Sequence, residues 1–128
     1  MPSPFLITDQ EGFTPHIGRL VSMMNYARRT TLDIARGLTV EELDFLPSPD
    51  SNSIGMLLEH FAAVEAAYQV STFEQRDLNE VEMARWEAGL ELGKLGQEKL
   101  CGRDIKYYLQ TLQEVRSKTF DEFRRRDD

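Results

Sequence analysis

Cysteine occurs once in the 128 residues, at Cys101, and histidine only twice, at His16 and His60. No intrachain disulfide is possible, and a zinc site built from several cysteines is excluded. Positive charge is scarce as well: 15 lysines and arginines stand against 22 aspartates and glutamates, for a net charge of -7. An acidic surface repels phosphate backbones, and the one strong basic run, Arg124-Arg125-Arg126, is followed at once by Asp127 and Asp128. Nucleic acid is therefore not an expected partner. Long apolar runs are missing too, since polar groups interrupt every stretch well before the ~18 residues that a membrane span needs. The opening Met1-Pro2-Ser3-Pro4-Phe5-Leu6 has no basic region ahead of an apolar one and does not read as a signal peptide. A lone cysteine suits a reducing compartment, so a cytoplasmic location is expected.

What is present is globular in character. Hydrophobic residues make up 41% of the chain and charged residues 29%, and disorder needs less of the first alongside so much of the second. The length fits a single domain over residues 1–128 with one core. The first dozen residues read as an extended arm. Thr14-Pro15 then opens a helix, threonine as N-cap and proline at the first helical position. Ile17, Leu20, Val21, Met24, Ala27, Thr31, Ile34, Ala35 and Leu38 recur at helical spacing as one stripe, with Gly37 placed to end it.

Thr39-Val40-Glu41-Glu42 has the form of a capping box, and a short helix should run through Leu43 and Phe45 until Pro47-Ser48-Pro49 stops it. Ser53 is a good N-cap for a second long helix from Ile54 to Phe73. Its buried face is expected along Ile54, Leu57, Leu58, Phe61, Val64, Ala67 and Tyr68. Asn79 can cap a helix carrying Val81, Met83, Ala84, Trp86 and Leu90. Gly89, Gly93 and Gly96 each cost about 1 kcal/mol there relative to alanine, so a broken helix or long connection is expected up to Gly102. Asp104 caps a last helix with Ile105, Tyr108, Leu109, Leu112, Val115, Thr119, Phe120 and Phe123 on one face.

These patterns predict an all-α chain. Three long amphipathic helices with wide stripes call for an antiparallel four-helix bundle, the fourth helix apparently missing from the chain. The last helix meets no glycine, asparagine or proline, which suggests a domain incomplete at its C-terminus. Open apolar faces on an acidic protein also suggest a homodimer.

Few residues could carry chemistry. His16 lies in the first turn of the first helix, where a histidine is ordinarily solvated. His60 sits mid-helix beside Leu57, Phe61 and Val64, either as a packed imidazole with its hydrogen bonds satisfied or as a metal ligand projecting into a bundle. Glu59 and Glu65 flank it as solvated charges or as groups orienting a ligand. Cys101 has no histidine neighbour to activate it and reads as buried or incidental. Trp86, Tyr107 and Tyr108 read as core rather than as the wall of a cleft.

The run from Ser53 through Ile54-Gly55-Met56-Leu57-Leu58-Glu59-His60 to Glu65 resembles the second-helix motif of the DinB-like superfamily: a small residue, Ile-Gly, apolar residues, His, apolar residues and a glutamate. Arg28-Arg29-Thr30-Thr31-Leu32, the stretch Gly37–Leu43 with Pro47 after it, and Gly102-Arg103-Asp104 are similar to other parts of that family. The resemblance implies a four-helix bundle, commonly dimeric, with a divalent metal (nickel, zinc or iron) held by three histidines. His60 matches one of them. The other two come from a His-x-x-x-His pair on the fourth helix, and nothing after Asp104 contains a histidine. Either the chain stops before that pair or this member has lost it. Related enzymes use the metal to activate a small thiol for transfer to an electrophile, by Lewis-acid activation of thiolate or water. Two readings follow: a metal-binding, thiol-dependent transferase, or a metal-free helical module for interaction or structure.

Overall fold

A computed structural model describes residues 5–128; Met1, Pro2, Ser3 and Pro4, where the arm was expected to begin, lie outside the described residues. The chain is all-α. Among the described residues six helices follow in order: α1 (Pro15–Ala35), α2 (Val40–Asp44), α3 (Ile54–Phe73), α4 (Glu80–Glu91), α5 (Gly93–Lys99) and α6 (Ile105–Arg124). They belong to two compact units, one of residues 5–36 with Ser117–Asp128, the other of Gly37–Arg116.

In the first unit the arm folds back along α1. The Thr8 amide donates to Ser22 Oγ at 3.2 Å, and Ser22 Oγ donates onward to the Leu6 carbonyl at 3.4 Å. Gly18 makes this approach possible, since a Cβ there would stand 2.9 Å from the Gln10 nitrogen. The arm thus selects Gly18, Val21 and Ser22 as the buried ridge of α1. Most of the expected stripe is not buried: Leu20 and Ala27 are exposed, and Ile34 is 79% exposed. Thr14, expected to cap α1, makes no side-chain cap bond to the helix. It donates instead to Asp128 at 2.5 Å, and the Asp128 carboxylate accepts from the His16 and Ile17 amides at 3.0 Å. A residue more than 100 positions away caps the helix.

The second unit is built on local caps that the sequence announces. Thr39 and Glu42 form a reciprocal capping box at α2, and Asn79 with Glu82 forms another at α4. Ser53 Oγ accepts from the Met56 amide to start α3, and Asp104 accepts from the Tyr107 amide in the first turn of α6. Such a cap contributes about 1 kcal/mol. The segment expected to be a broken helix is one. The break falls at Leu92, with φ 58 and ψ -143, followed by Gly93 at φ 56.

The buried face of α3 differs from the expected one. Gly55, Met56, Leu58, Glu59, Ala62, Ala63, Ala66, Gln69 and Val70 are inside, while Ile54, Leu57, Phe61 and Tyr68 are exposed. The helix is apolar nearly all round, so periodicity cannot choose a face. Backbone approach chooses it instead. α4 and α5 both meet it through glycine: a Cβ on Gly89 of α4 would stand 3.0 Å from Ala63 Cβ, and one on Gly96 of α5 would stand 2.8 Å from Met56 Cε. On another side, α6 runs in the same sense as α3. Tyr108 lies at Gly55, and Gln69 Nε2 donates to the Val115 carbonyl at 2.7 Å.

Candidate functional site

The Ser53 cap and the Gly89 approach fix the part of α3 that carries Glu59 and His60. These neighbours do different things. Glu59 turns into the unit and is 1% exposed, while His60 is half-buried on the flank facing α4.

His60 Nδ1 lies 2.8 Å from the Gly89 carbonyl oxygen. A carbonyl only accepts, so Nδ1 carries the proton. In the neutral imidazole, Nε2 is then the nitrogen with the free lone pair. This is the arrangement in which a histidine acts as a ligand or a base through one nitrogen while a backbone carbonyl holds the other.

Glu59 is buried among polar partners. Arg85 Nη1 of α4 is 3.5 Å from Oε1, and the Tyr107 hydroxyl donates to the same oxygen at 3.4 Å. That hydroxyl accepts in turn from Arg103 at 2.5 Å, with the guanidinium 4.4 Å above the Tyr107 ring. Among the described residues, Glu59 Oε2 has no hydrogen-bond partner. The same is true of the Tyr108 hydroxyl, which is fully buried, and of Asp44 Oδ1. Burial, with the Asp44 charge second, pushes the Tyr108 hydroxyl up to about 12, against a smaller opposing pull from Arg103.

The remaining candidates stand elsewhere. Glu65 is not a solvated charge; Arg116 grips it through two nitrogens at 2.9 to 3.2 Å, and both side chains are largely buried. Cys101 is exposed rather than buried, its thiol directed at the Glu98 carbonyl at 3.6 Å. His16 is exposed in the other unit. Tyr108 is core as expected, whereas Trp86 is half-buried under the Arg85 guanidinium at 3.9 Å. Arg85, Gly89 and Arg103 were not candidates from sequence. Gly89 read there only as a cost to helix stability.

The donor set decides how far these residues suit a metal. His60 has the right tautomer for one ligand. Among the described residues, however, no group of three His, Cys, Asp or Glu side chains could hold an ion. Glu59 and Glu65 are committed to arginines, and the only other histidine is His16. The described residues therefore do not by themselves fit a divalent metal. No helix among them is long and apolar enough to cross a membrane.

No curated protein matches the chain significantly. A family model does, that of mycothiol-S-transferase, over residues 19–123. The match takes in α2 to α5 and nearly all of α1 and α6, and with them the Ile54-Gly55…His60 motif; the chain belongs to the mycothiol-S-transferase family, a DinB-like family.

Proposed function

We propose that the chain is a thiol-dependent transferase of the cytoplasm, moving a small thiol of the mycothiol class onto an electrophile, with His60 at the reacting centre. The observation that carries this reading is the bond from His60 Nδ1 to the Gly89 carbonyl, which leaves Nε2 as a lone-pair donor. The family match supplies the reaction class. A divalent ion (nickel, zinc or iron) belongs to the proposal with His60 as one ligand, its other ligands coming from outside the described residues. A homodimer belongs to it as well. The exposed Ile54, Leu57, Phe61 and Tyr68 form a stripe along α3 that a second copy would cover.

A second reading is favoured by the lack of a three-donor group among the described residues: a metal-free helical module in which His60 packs and hydrogen-bonds.

One experiment separates the two. Elemental analysis and consumption of a small thiol with a bromobimane acceptor are measured on the parent and on His60→Ala side by side. Near-stoichiometric metal and thiol transfer, both lost in a variant of unchanged helical content, support the first reading. Transfer at the parent's rate in the variant removes His60 from the reacting centre. Absence of both metal and transfer in the parent, after incubation with each ion, supports the module. Sedimentation at high concentration tests the dimer, and a monomeric parent would remove it.

A further inference from the structure

We infer that the break between α4 and α5 is a positioning device, with Gly89 its working residue, which fixes the His60 tautomer and leaves Nε2 as the free nitrogen. The inference rests on the role proposed for His60, but its geometry stands apart from any metal or thiol.

In an uninterrupted helix the Gly89 carbonyl accepts from the amide of residue 93. Here α4 closes one residue earlier, the Leu92 amide donating to the Ala88 carbonyl at 2.9 Å. Leu92 then turns to φ 58, a strained region that leucine rarely occupies. The chain leaves in a new direction, and α5 begins with the Gly96 amide on the Leu92 carbonyl at 3.0 Å. Gly89 is thus among the last residues of α4, whose carbonyls lack partners within the helix. The imidazole N–H of His60 supplies one.

Two further features bring that carbonyl within reach. Gly89 has no side chain, and a Cβ there would meet Ala63 Cβ at 3.0 Å, Glu59 Cγ at 3.1 Å and the Glu59 carbonyl oxygen at 3.2 Å. One turn earlier on α4, Arg85 reaches Glu59. Residues 85 and 89 therefore engage the consecutive residues 59 and 60 and fix the register between the helices. Gly89 acts through His60, so it is a positioning residue rather than a catalytic one.

The test is the tautomer itself, read by nitrogen NMR of histidine-labelled protein at alkaline pH, where the neutral imidazole is observed. With only two histidines, His16→Gln assigns the signals. In the parent, His60 should be mainly the Nδ1–H form. In Leu92→Ala combined with Gly93→Ala, which favours a continuous helix, that form should become the minority. Gly89→Ala should do the same by displacing α4. A parent in which the Nε2–H form predominates would overturn the inference, as would folded variants that keep the parent's ratio. Should neither variant fold, the parent spectrum still decides. Failure of thiol transfer would leave the tautomer result intact, so the two proposals fail separately.

Discussion

The phenol of Tyr108 rests on the bare Cα of Gly55: a Cβ at that position would stand 2.7 Å from the tyrosine hydroxyl and 2.9 Å from Cζ. This contact accounts for the glycine of the Ile-Gly pair in physical terms. α6 can lie this close to the first turn of α3 only where α3 has no side chain. Gly55→Ala should therefore destabilise the protein by about 1–3 kcal/mol, because a fully buried ring has no room to withdraw. Tyr108→Phe should be close to neutral, since it removes a buried hydroxyl without a hydrogen-bond partner. The double variant should be less destabilised than the two single effects added together, because the nearest clashing atom has gone. Urea unfolding midpoints of the four proteins check the cycle.

Tyr108 also makes the protein sensitive to alkali. Burial raises its hydroxyl from 10.0 to about 12, so the folded state favours the neutral phenol. A group whose folded pKa is raised contributes stability that is fully present below the unfolded value and lost as pH climbs through the folded one. The window is thus from about pH 10 to about pH 12. Phenolate absorbance should show a late-titrating tyrosine that is absent in Tyr108→Phe. That variant should lose stability less steeply across the same window. Identical alkaline profiles for parent and variant would contradict the assignment.

The two arginine–carboxylate pairs of α3 should differ in weight. Arg116 holds Glu65 through two nitrogens, with side-chain exposures of 12% and 15%. Arg85 meets Glu59 at 3.5 Å through one nitrogen and is itself 44% exposed, so water screens it. Arg116→Ala should cost about 2–4 kcal/mol, since it strands a mostly buried carboxylate. Arg116→Lys should recover less than half of that, as an ammonium cannot reproduce the two-nitrogen grip. Arg85→Ala should cost about 1–2 kcal/mol, and Glu59→Gln in the same chain should return part of it. Chemical denaturation ranks the variants, and equal losses at the two arginines would show that burial and geometry do not set the difference.

What could be read in the sequence followed the range of the interaction. The caps at Thr39, Ser53, Asn79 and Asp104 each depend on residues three positions apart, and all four form. The helices they open begin where expected. On α3 the large side chains point to a face of which Leu58 is buried but Ile54, Leu57, Phe61 and Tyr68 are exposed, because Gly89, Gly96 and Tyr108 pack against the side that carries Gly55, Met56, Glu59 and Ala63. His60 could be singled out by its motif, but its tautomer could not. That depends on a carbonyl 29 residues away, exposed by a break whose sharpest residue is a leucine. Glycine spacing signals a break; it does not say which carbonyl the break releases.

The cap that Asp128 places on α1 provides a last prediction, again beyond any local pattern. Its carboxylate accepts from the His16 and Ile17 amides and from the Thr14 hydroxyl, the donors that a helix N-terminus presents to an anion. These bonds, that of the His16 amide foremost, hold its pKa below the ordinary value of 3.8. A depressed carboxylate contributes stability that is present above the unfolded pKa and lost as pH falls through the folded one. Asp128→Asn should therefore lower the thermal midpoint at neutral pH, and the gap to the parent should close as the solution is taken below pH 3.8. Salt should narrow the gap as well, because the site is exposed. Thr14→Ala should give a smaller loss with the same acid dependence, since the two amides still hold the carboxylate. A gap that stays constant from neutral to acid pH would mean that the charge of Asp128 contributes nothing to the cap.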